Sequence, residues 1–432
     1  MSSKKTVFCA MSGGVDSSVA ALLLKESGYN VVGVFMRCWS QGSSDTLGIG
    51  EPCGSEKEAE DARRVAEHMG IPFYVWGFEE AYKKRVVEYM IEGYRAGITP
   101  NPDVMCNREI KFGIFLEKAL EVGADYVATG HYVSLRSLSR TDVAFAPAAS
   151  ARLPLGAATE HIKDIMCSGR ARRASESFSK ENFTQFGLYE AKDKNKDQSY
   201  FLWTLTQQQL AHCIFPIGDY VKPEVRAIAR KAGLPTAEKK DSQGICFLGK
   251  VTLADFLKSY IPEKKGDVLS TEGKKIGEHS GAHFYTIGQR HGIGNMKHQR
   301  GVTMHEAAYV SGKDMATNTV VVAAGKDNEA LYKKEVLLAD LSFIDPKDIA
   351  LNRGSEMEVL VRVRYRQPLF RAKLMLRDGT LEADLIFEKP QKFIAPGQSA
   401  VLYIGKEDTS TLLGANSLDN SGLQMLGGGI IV

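Results

Sequence analysis

A glycine-rich turn near the N-terminus constrains the fold of this chain more than any other feature. The residues Ser12-Gly13-Gly14-Val15-Asp16-Ser17-Ser18 follow an apolar run at 6–11 and open an apolar segment that extends to about residue 28. This order predicts a buried strand, a tight turn and a helix, which together begin a parallel α/β sheet. A tight turn alone would need only the two glycines.

The same turn is suited to bind phosphate. Its glycines let backbone N–H groups approach an anion, the helix N-terminus adds a favourable partial charge, and Ser12, Ser17 and Ser18 add hydroxyl donors. Asp16 is a candidate ligand for Mg²⁺ beside the phosphates. Because the turn lacks the Gly-Lys-Ser/Thr ending of a Walker A loop, it predicts a nucleotide site of another type.

Strand and helix patterns alternate along the first part of the chain. The predicted strands are 31–36, 71–76 and 125–129, and the predicted helices are 55–69, 79–95, 107–121, 200–210 and 223–232. This alternation predicts a doubly wound parallel sheet, in which ligands bind at the carboxyl ends of the strands.

Residues 137–187 interrupt this pattern. They are rich in Ser, Ala and Arg, lack a sustained period and carry more basic than acidic side chains. We expect a loosely packed insertion that adds a sequence-independent contact to nucleic-acid phosphates.

The last hundred residues or so are predicted to form a small β-barrel or sandwich. Strand 357–365 alternates valines with Leu360, Arg362 and Arg364. Together with Arg366, the arginines form one basic face that suits phosphate contact, and a solvated edge strand is an equally good explanation.

Composition restricts the class of protein. The 432 residues predict two or three domains, and 44% hydrophobic with 25% charged residues is typical of a soluble globular protein. No run approaches the roughly 18 apolar residues of a membrane helix, and the N-terminus has no signal or transit pattern. We therefore expect a cytoplasmic protein without a membrane partner. The net charge of +3 permits a nucleic-acid partner but does not require one.

The seven cysteines are scattered and form no CxxC pair, so a structural disulfide framework is not expected. Two of them are candidates for chemistry. Cys106 is predicted at the start of the helix 107–121, where the helix N-terminus favours a thiolate, with Asp103 three residues earlier. Cys246 follows Lys239, Lys240 and a glycine turn, an electropositive setting for a reactive thiol. On local grounds, each is equally consistent with a buried structural cysteine.

The heptad at 12–18 resembles the pyrophosphate-binding loop of the ATP-pyrophosphatase superfamily. Six further segments, TPNPDVMCN, ATGHYV, KDQSYFL, DSQGICF, YTIGQR and GGGII, resemble in order those of the tRNA 2-thiouridylases. These bacterial and organellar enzymes make 2-thiouridine at the wobble position of tRNA. The match spans nearly the whole chain.

This resemblance implies three domains. The expected catalytic domain is 1–215, with the insertion at about 137–187 and with segment 237–251, which carries Cys246, returning to the active site. A central domain at 216–318 and a C-terminal β-barrel at 319–432 are expected to follow.

The resemblance also implies roles for individual residues. Cys106 is expected to be the nucleophile, Cys246 the persulfide carrier, and Asp103 an acid/base or positioning group. The residues expected to contact tRNA are Asn101, Pro102, Asp103, Lys196, Asp197, Gln198, Arg364 and Tyr365. The residues expected to contact ATP are Ala10, Met11, Ser12, Gly13, Gly14, Val15, Asp16, Ser17, Met36 and Gly130.

The implied reaction uses ATP and Mg²⁺ to adenylate the 2-keto oxygen of a flipped wobble uridine. Sulfur from Cys246 then replaces that oxygen, and a Cys106–Cys246 disulfide remains. The implied partners are tRNAs of the Lys, Glu and Gln type and a cysteine desulfurase or sulfur-relay protein.

Three alternatives stay open from the sequence. One is another oxygen-adenylating enzyme of the same superfamily, which would need no paired cysteines. A second is the same reaction through an iron–sulfur cluster held by Asp103, Cys106 and Cys246. The third, a non-catalytic tRNA-binding protein, is disfavoured by the intact Asp16 and by both cysteines.

Overall fold

The computed structural model describes residues 4–39, 54–138, 185–241, 252–290, 292, 295–296, 307–346, 356–404 and 422–432. Cys246 and most of the predicted insertion lie outside these residues, so their predicted roles are not addressed by the structure.

The first part of the chain contains a parallel five-stranded sheet and one β-hairpin. Its strands are β1 (Thr6–Ala10), β2 (Asn30–Arg37), β3 (Phe73–Gly77), β4 (Tyr126–Thr129), β5 (Ser134–Ser137), β6 (Phe186–Tyr189) and β7 (Cys213–Ile214). The sheet order is β3-β2-β1-β4-β7, and every pairing is parallel. The predicted parallel sheet is therefore confirmed, and its strand order reverses between β1 and β4, where such folds bind ligands.

Helices cover both faces of this sheet. They are α1 (Val15–Glu26), α2 (Gly54–Met69), α3 (Glu79–Tyr82), α4 (Glu88–Arg95), α5 (Pro102–Met105), α6 (Phe115–Glu121), α7 (Gln207–Leu210) and α8 (Lys222–Lys231), with π-helical runs at Lys83–Val87 and Cys106–Ile114. Strand β1 alternates between the two cores: Phe8 and Ala10 face the core under α3 to α6, and Val7 and Cys9 face α1, α2 and α8. The second core continues through Val225 to Ala237, beyond residue 215, where the sequence placed the end of the first domain.

One predicted helix is wrong. The helix predicted at 200–210 is a 3-10 turn at Ser199–Phe201 and, after the capping box of Thr206, the short α7. Tertiary contacts override the helical period here, because Tyr200 and Trp203 are buried and hydrogen-bond to Ser399 of the C-terminal part. The predicted insertion is flanked by β5 and β6, which pair antiparallel.

The central part of the chain is a second small sheet with one helix. Its elements are α9 (Leu253–Lys258), β8 (Gly266–Ser270), β9 (Lys275–His279), β10 (Asn295–Met296), β11 (Ala308–Asp314) and β12 (Thr319–Ala324). The strand order is β10-β9-β8-β12-β11, and Val268, Val310 and Val320 lie in its core.

The C-terminal part is a closed barrel. Its six strands are β13 (Tyr332–Phe343), β14 (Glu356–Arg362), β15 (Phe370–Leu376), β16 (Ala383–Lys392), β17 (Ser399–Ile404) and β18 (Gln424–Ile431). Pairing of β13 with β18 closes the order β13-β16-β15-β14-β17-β18, and the hairpin β5–β6 extends the sheet beyond β18. The predicted β-barrel is confirmed, and Val359, Val361 and Val363 fill its interior as the alternation indicated.

Arg362 does not belong to an exposed basic face, so that prediction is wrong for this residue. The outer face of β14 packs against the α/β part of the chain, and Arg362 is 8% exposed. Its guanidinium donates to the carboxylates of Asp197 at 2.8 Å and Glu190 at 2.9 Å, which are also buried. This buried ion pair joins the barrel to the predicted tRNA-contacting segment 196–198.

No helix in the described part of the chain is long and apolar enough to cross a membrane.

The buried position of Arg362 predicts a large effect on stability. Arg362→Leu leaves the buried Asp197 without its cation and Glu190 with only the exposed Lys194, so we expect the free energy of unfolding to fall by about 3–5 kcal/mol. Urea denaturation followed by tryptophan fluorescence measures this, because the buried Trp203 lies at the same interface. As a matched control, Arg377→Leu removes an exposed pair with Asp384 and should change little. Equal effects of the two substitutions would contradict a special role for the buried pair.

Candidate nucleotide and tRNA site

The loop between β1 and α1 is held in shape by its own serines. The Ser17 hydroxyl accepts from the Ser12 backbone N–H at 3.1 Å and donates to the Gly14 carbonyl at 3.1 Å. The Ser18 hydroxyl donates to the same carbonyl at 2.8 Å. Helix α1 begins after Gly14, and no side chain caps its first turn. The loop is therefore preformed, and the helix N-terminus is open to an anion.

Two glycines permit close backbone approach at this loop. Gly13 has a φ of +71°, and a Cβ there would lie 2.2 Å from the Glu58 carbonyl oxygen. Gly130 follows β4, and a Cβ there would lie 2.6 Å from the Ser17 backbone nitrogen. Larger residues would push the end of β4 away from the start of α1.

The ten residues predicted to contact ATP come together at the carboxyl ends of β1, β2 and β4. The side chains of Ala10, Met11, Val15 and Ser17 are buried, and Met36 is partly buried against the core. These residues therefore present backbone rather than side chains to the crevice. Their contact with ATP stays a prediction.

Asp16 is the most strongly engaged residue of the loop. Its carboxylate accepts from both the Tyr132 hydroxyl and the Lys222 ammonium at 2.8 Å. Lys222 is the first residue of α8 and is 9% exposed. Helix N-termini disfavour cations, so a buried lysine at this position indicates a specific electrostatic role.

Lys222 belongs to a set of five charged groups, which we term the loop charge cluster: Asp16, Lys196, Lys222, Arg226 and Asp241. The Asp241 carboxylate contacts Lys196 at 2.6 Å, Lys222 at 2.7 Å and Arg226 at 2.9 Å. Burial raises the pKa of the Asp241 carboxyl, but hydrogen bonds from Lys196 and Lys222 outweigh it and lower this pKa to about 2. Three cations and two carboxylates leave the cluster with an excess positive charge.

Sequence reasoning identified only Asp16 and Lys196 of this cluster. Asp241 opens the DSQGICF segment, which the resemblance places at the active site without a role for Asp241 itself, and Lys222 and Arg226 belong to no predicted site motif. Lys222 at the start of a helix is the sequence signal that could have identified the cluster, because acidic residues are usual at that position.

The segment predicted to contact the target base, 101–103, starts a helix, and this helix begins earlier in the sequence than predicted. Asn101 caps α5, since its side chain accepts from the Val104 backbone N–H at 3.2 Å, and Pro102 occupies the first helical position. Cys106 therefore lies one turn inside the helical region and is buried. The prediction that Cys106 opens the helix is wrong, and the Asn-Pro pair is the sequence signal that places the start correctly.

The barrel holds this segment in place. The Thr99 backbone N–H donates to the Pro396 carbonyl at 2.7 Å, and the Gln398 side chain donates to the Thr99 carbonyl at 2.8 Å. A Cβ at Gly397 would lie 2.9 Å from Thr99, so the two backbones are in direct contact. The position of the predicted base-contacting residues thus depends on the barrel.

The three residues at 196–198 have different surroundings. Lys196 reaches the loop charge cluster, whereas Asp197 is buried and accepts from the Ala191 backbone N–H and from Arg362. The Gln198 side chain accepts from the Tyr132 backbone N–H at 3.0 Å. In this structure Asp197 and Gln198 hold the segment together, and Lys196 is the member directed toward the loop.

Arg364 and Tyr365 lie just beyond the end of β14. Arg364 donates to the Ile287 carbonyl at 2.6 Å and so connects the barrel to the central part. The Tyr365 ring lies 4.6 Å from the ring of Phe201, and both side chains are partly exposed.

His131, within the ATGHYV segment, is a packed and neutral side chain. It is 7% exposed and lies between Phe112 and Phe215. Burial lowers the pKa of His131 well below its ordinary value, and the neighbouring Lys111 ammonium lowers it further.

Only one of the two candidate cysteines lies within the described residues. Cys106 is buried beside the base-contacting segment, and Cys246 lies outside the described residues. Across the described residues, no group of three or more His, Cys, Asp or Glu side chains is placed to hold a metal ion.

Comparison with known proteins assigns the family. Three family models match successive segments: tRNA methyl transferase HUP domain at 5–164 and 153–250, tRNA methyl transferase PRC-barrel domain at 254–324, and Aminomethyltransferase beta-barrel domain at 333–416.

Curated relatives match nearly the whole chain. The tRNA-specific 2-thiouridylase MnmA of Streptococcus mutans is 40% identical over 421 residues, covering 97% of this chain and 96% of the relative. The proteins of the same name from Levilactobacillus brevis and Pseudomonas putida are 41% and 40% identical, covering 94% and 93% of this chain and 94% and 92% of the relatives. Because these relatives span all three segments, this chain belongs to the tRNA-specific 2-thiouridylase family.

Proposed function

We propose that this chain is a tRNA sulfurtransferase that converts the wobble uridine of tRNA to 2-thiouridine at the expense of ATP. The observation that carries the proposal is the preformed loop at 12–18, whose Asp16 is paired with Lys222 of the loop charge cluster. Relatives that cover over nine-tenths of the chain bear the name of this activity.

The phosphates of ATP are proposed to bind between the loop and the cluster. Backbone N–H groups at the start of α1 would bind one end of the triphosphate. Positive charge to balance the phosphates would come from Lys196, Lys222 and Arg226. In the free enzyme, the carboxylates of Asp16 and Asp241 engage these cations. Phosphate oxygens would compete with them for the same donors.

Asp16 fits the expected role of a Mg²⁺ ligand. Its carboxylate supplies the hard oxygen donors that this ion prefers, and its side chain is 31% exposed at the loop. When bound there, the ion would shield the phosphate charge. Lys222 and Tyr132 orient the carboxylate in the free enzyme.

The first chemical step is adenylation of the base. The 2-keto oxygen of the flipped uridine attacks the α-phosphorus, an O–P bond forms, and the bond to the β-phosphate oxygen breaks with release of pyrophosphate. The N3 proton of uridine must leave as the carbonyl oxygen is esterified. We propose that Asp103, which is exposed in the first turn of α5, accepts it.

The second step replaces oxygen by sulfur. The terminal sulfur of the Cys246 persulfide attacks carbon 2, and AMP leaves with the former keto oxygen. The Cys106 thiolate then attacks the Cys246 sulfur, which releases 2-thiouridine and leaves a Cys106–Cys246 disulfide. An external thiol must reduce this disulfide, and a persulfide donor, such as a cysteine desulfurase or sulfur-relay protein, must reload Cys246. We also propose that the protein is cytoplasmic and that its substrates are tRNAs of the Lys, Glu and Gln type.

Asp16→Ala is expected to abolish tRNA-dependent release of pyrophosphate. The variant loses the proposed Mg²⁺ ligand and also one of the two carboxylate partners of Lys222. Asp255→Asn, which alters an exposed helix-capping contact in the central part, is the matched control and should retain the wild-type rate. Enzyme-coupled detection of pyrophosphate measures both variants, and wild-type release by Asp16→Ala would contradict the assignment of the loop.

Cys246→Ser is expected to adenylate tRNA but to form no 2-thiouridine, because it cannot carry the persulfide. Cys213→Ala, a buried cysteine of the sheet, should still thiolate. Mass analysis of the tRNA nucleosides, with pyrophosphate assayed in parallel, separates the two steps. Thiolation by Cys246→Ser at the wild-type rate would refute the persulfide role.

If anaerobically purified enzyme were brown and lost activity with its iron, the iron–sulfur alternative would replace this scheme.

A further inference from the structure

The segment YTIGQR at 285–290, which we term the junction turn, has no role in the proposed function, yet it is fixed by several hydrogen bonds. The Gln289 side chain accepts from the Thr286 backbone N–H at 3.0 Å, and the Gln289 N–H donates to the Thr286 carbonyl at 2.9 Å. Gly288 has a φ of +84°, a conformation that favours glycine. The Gly288 N–H donates to the Val310 carbonyl at 2.7 Å, and the Val310 N–H donates to the Gln289 carbonyl at 3.0 Å. The junction turn is therefore attached firmly to β11.

One side of the junction turn contacts the segment that leads to the predicted base-contacting residues. The Thr286 hydroxyl lies 3.1 Å from the Thr99 hydroxyl, within hydrogen-bonding distance. Thr99 is 8% exposed, and its backbone is also fixed by the barrel. The Met315 side chain packs against Gly97, since a Cβ there would lie 2.3 Å from Met315 Cγ. The central part of the chain therefore holds residues 97–99 from the side opposite to the barrel contacts.

The other side of the junction turn contacts the barrel beside Arg364. This arginine donates to the Ile287 carbonyl at 2.6 Å, and its guanidinium lies 5.8 Å from the centre of the Phe393 ring. The same ring packs on Gly288, where a Cβ would lie 2.6 Å from the ring carbon Cγ. Two successive residues of the turn thus reach the base-contacting segment and the barrel.

A displacement of Thr99 would be transmitted to the residues that follow it. Pro100 and Pro102 fix their own φ angles and restrict the residues before them. The Asn101 side chain caps α5, so residues 99–102 form a stiff unit. Reactions that need an aligned attack tolerate little displacement of the reacting group.

We propose that Thr286 is a positioning residue for thiolation, which acts through Thr99 to set the position of the base-contacting segment 101–103 relative to Arg364. This inference rests on the proposed function, in which both of these regions contact the tRNA substrate. Because Thr286 acts through Thr99 and not on ATP or tRNA, its loss should slow the reaction without weakening substrate binding.

The experiment measures kcat and KM for tRNA-dependent release of pyrophosphate. Thr286→Val keeps the shape of the side chain but leaves the buried Thr99 hydroxyl without this partner. We expect kcat to fall about tenfold, the effect of one lost buried hydrogen bond, and the KM values for ATP and tRNA to change by less than about twofold. Thr286→Ser keeps the hydroxyl and should retain a kcat near that of the wild type.

Two further variants test the contact from its other side and from its surroundings. Thr99→Val should lower kcat to a similar extent, and the double variant Thr99→Val/Thr286→Val should be no slower than the slower single variant, because both substitutions remove the same contact. The matched control is Ser311→Ala, which removes a hydroxyl that donates to the Val321 carbonyl inside the central sheet at 3.3 Å, and it should keep the wild-type kcat. Should Thr286→Val fail to fold, Thr99→Val and its rescue by Thr99→Ser carry the same expectation.

Several outcomes would overturn the proposal. Thr286→Val with the wild-type kcat, or with an effect confined to KM, would show that Thr286 does not position the reacting groups. A loss in Thr286→Ser as large as that in Thr286→Val would show that the hydroxyl is not responsible. An additive loss in the double variant would show that the two threonines act separately.

Failure of the proposed function looks different. In that case the wild type and Ser311→Ala would also release no pyrophosphate with tRNA. Normal release by the wild type together with an unaffected Thr286→Val would leave the function intact and refute the role of Thr286 alone.

Discussion

The ion pair between Asp16 and Lys222 connects the two halves of the candidate nucleotide site. Asp16 lies in the first turn of α1 beside the phosphate loop, and Lys222 begins α8, more than two hundred residues later. Through Asp241, the same lysine is joined to Lys196 and Arg226. Such partly buried pairs require good geometry to offset desolvation, so they fix α8 and the segment at 196 relative to the loop.

The barrel completes the site from the opposite side. Its Arg362 holds Glu190 and Asp197, and its residues 396–398 hold the backbone of Thr99. The hairpin β5–β6 extends the barrel sheet from within the catalytic domain. The two regions predicted to contact tRNA, 101–103 and 196–198, therefore depend on contacts with a part of the chain that lies far away in sequence.

The sequence predicted the parallel sheet, the phosphate loop and the barrel, because each has a local signal. Strand β1 is apolar on both faces, the loop is a continuous heptad, and the valines of β14 alternate. The sequence analysis wrongly predicted an exposed Arg362, and it placed the start of the helix that contains Cys106 too late in the chain. An arginine on a strand is equally consistent with solvent and with a buried partner, and only the tertiary structure reveals Glu190 and Asp197. The loop charge cluster and the contact of Lys111 with His131 join residues that share no local pattern.

In the proposed reaction, ATP activates the 2-keto oxygen of the uridine. A tRNA labelled with ¹⁸O at this oxygen of the wobble uridine tests it directly, by mass analysis of the AMP released during thiolation with ATP and a persulfide donor. If the keto oxygen attacks the α-phosphorus, the label should appear in AMP, one atom for each 2-thiouridine formed. Formation of 2-thiouridine with unlabelled AMP would contradict the account.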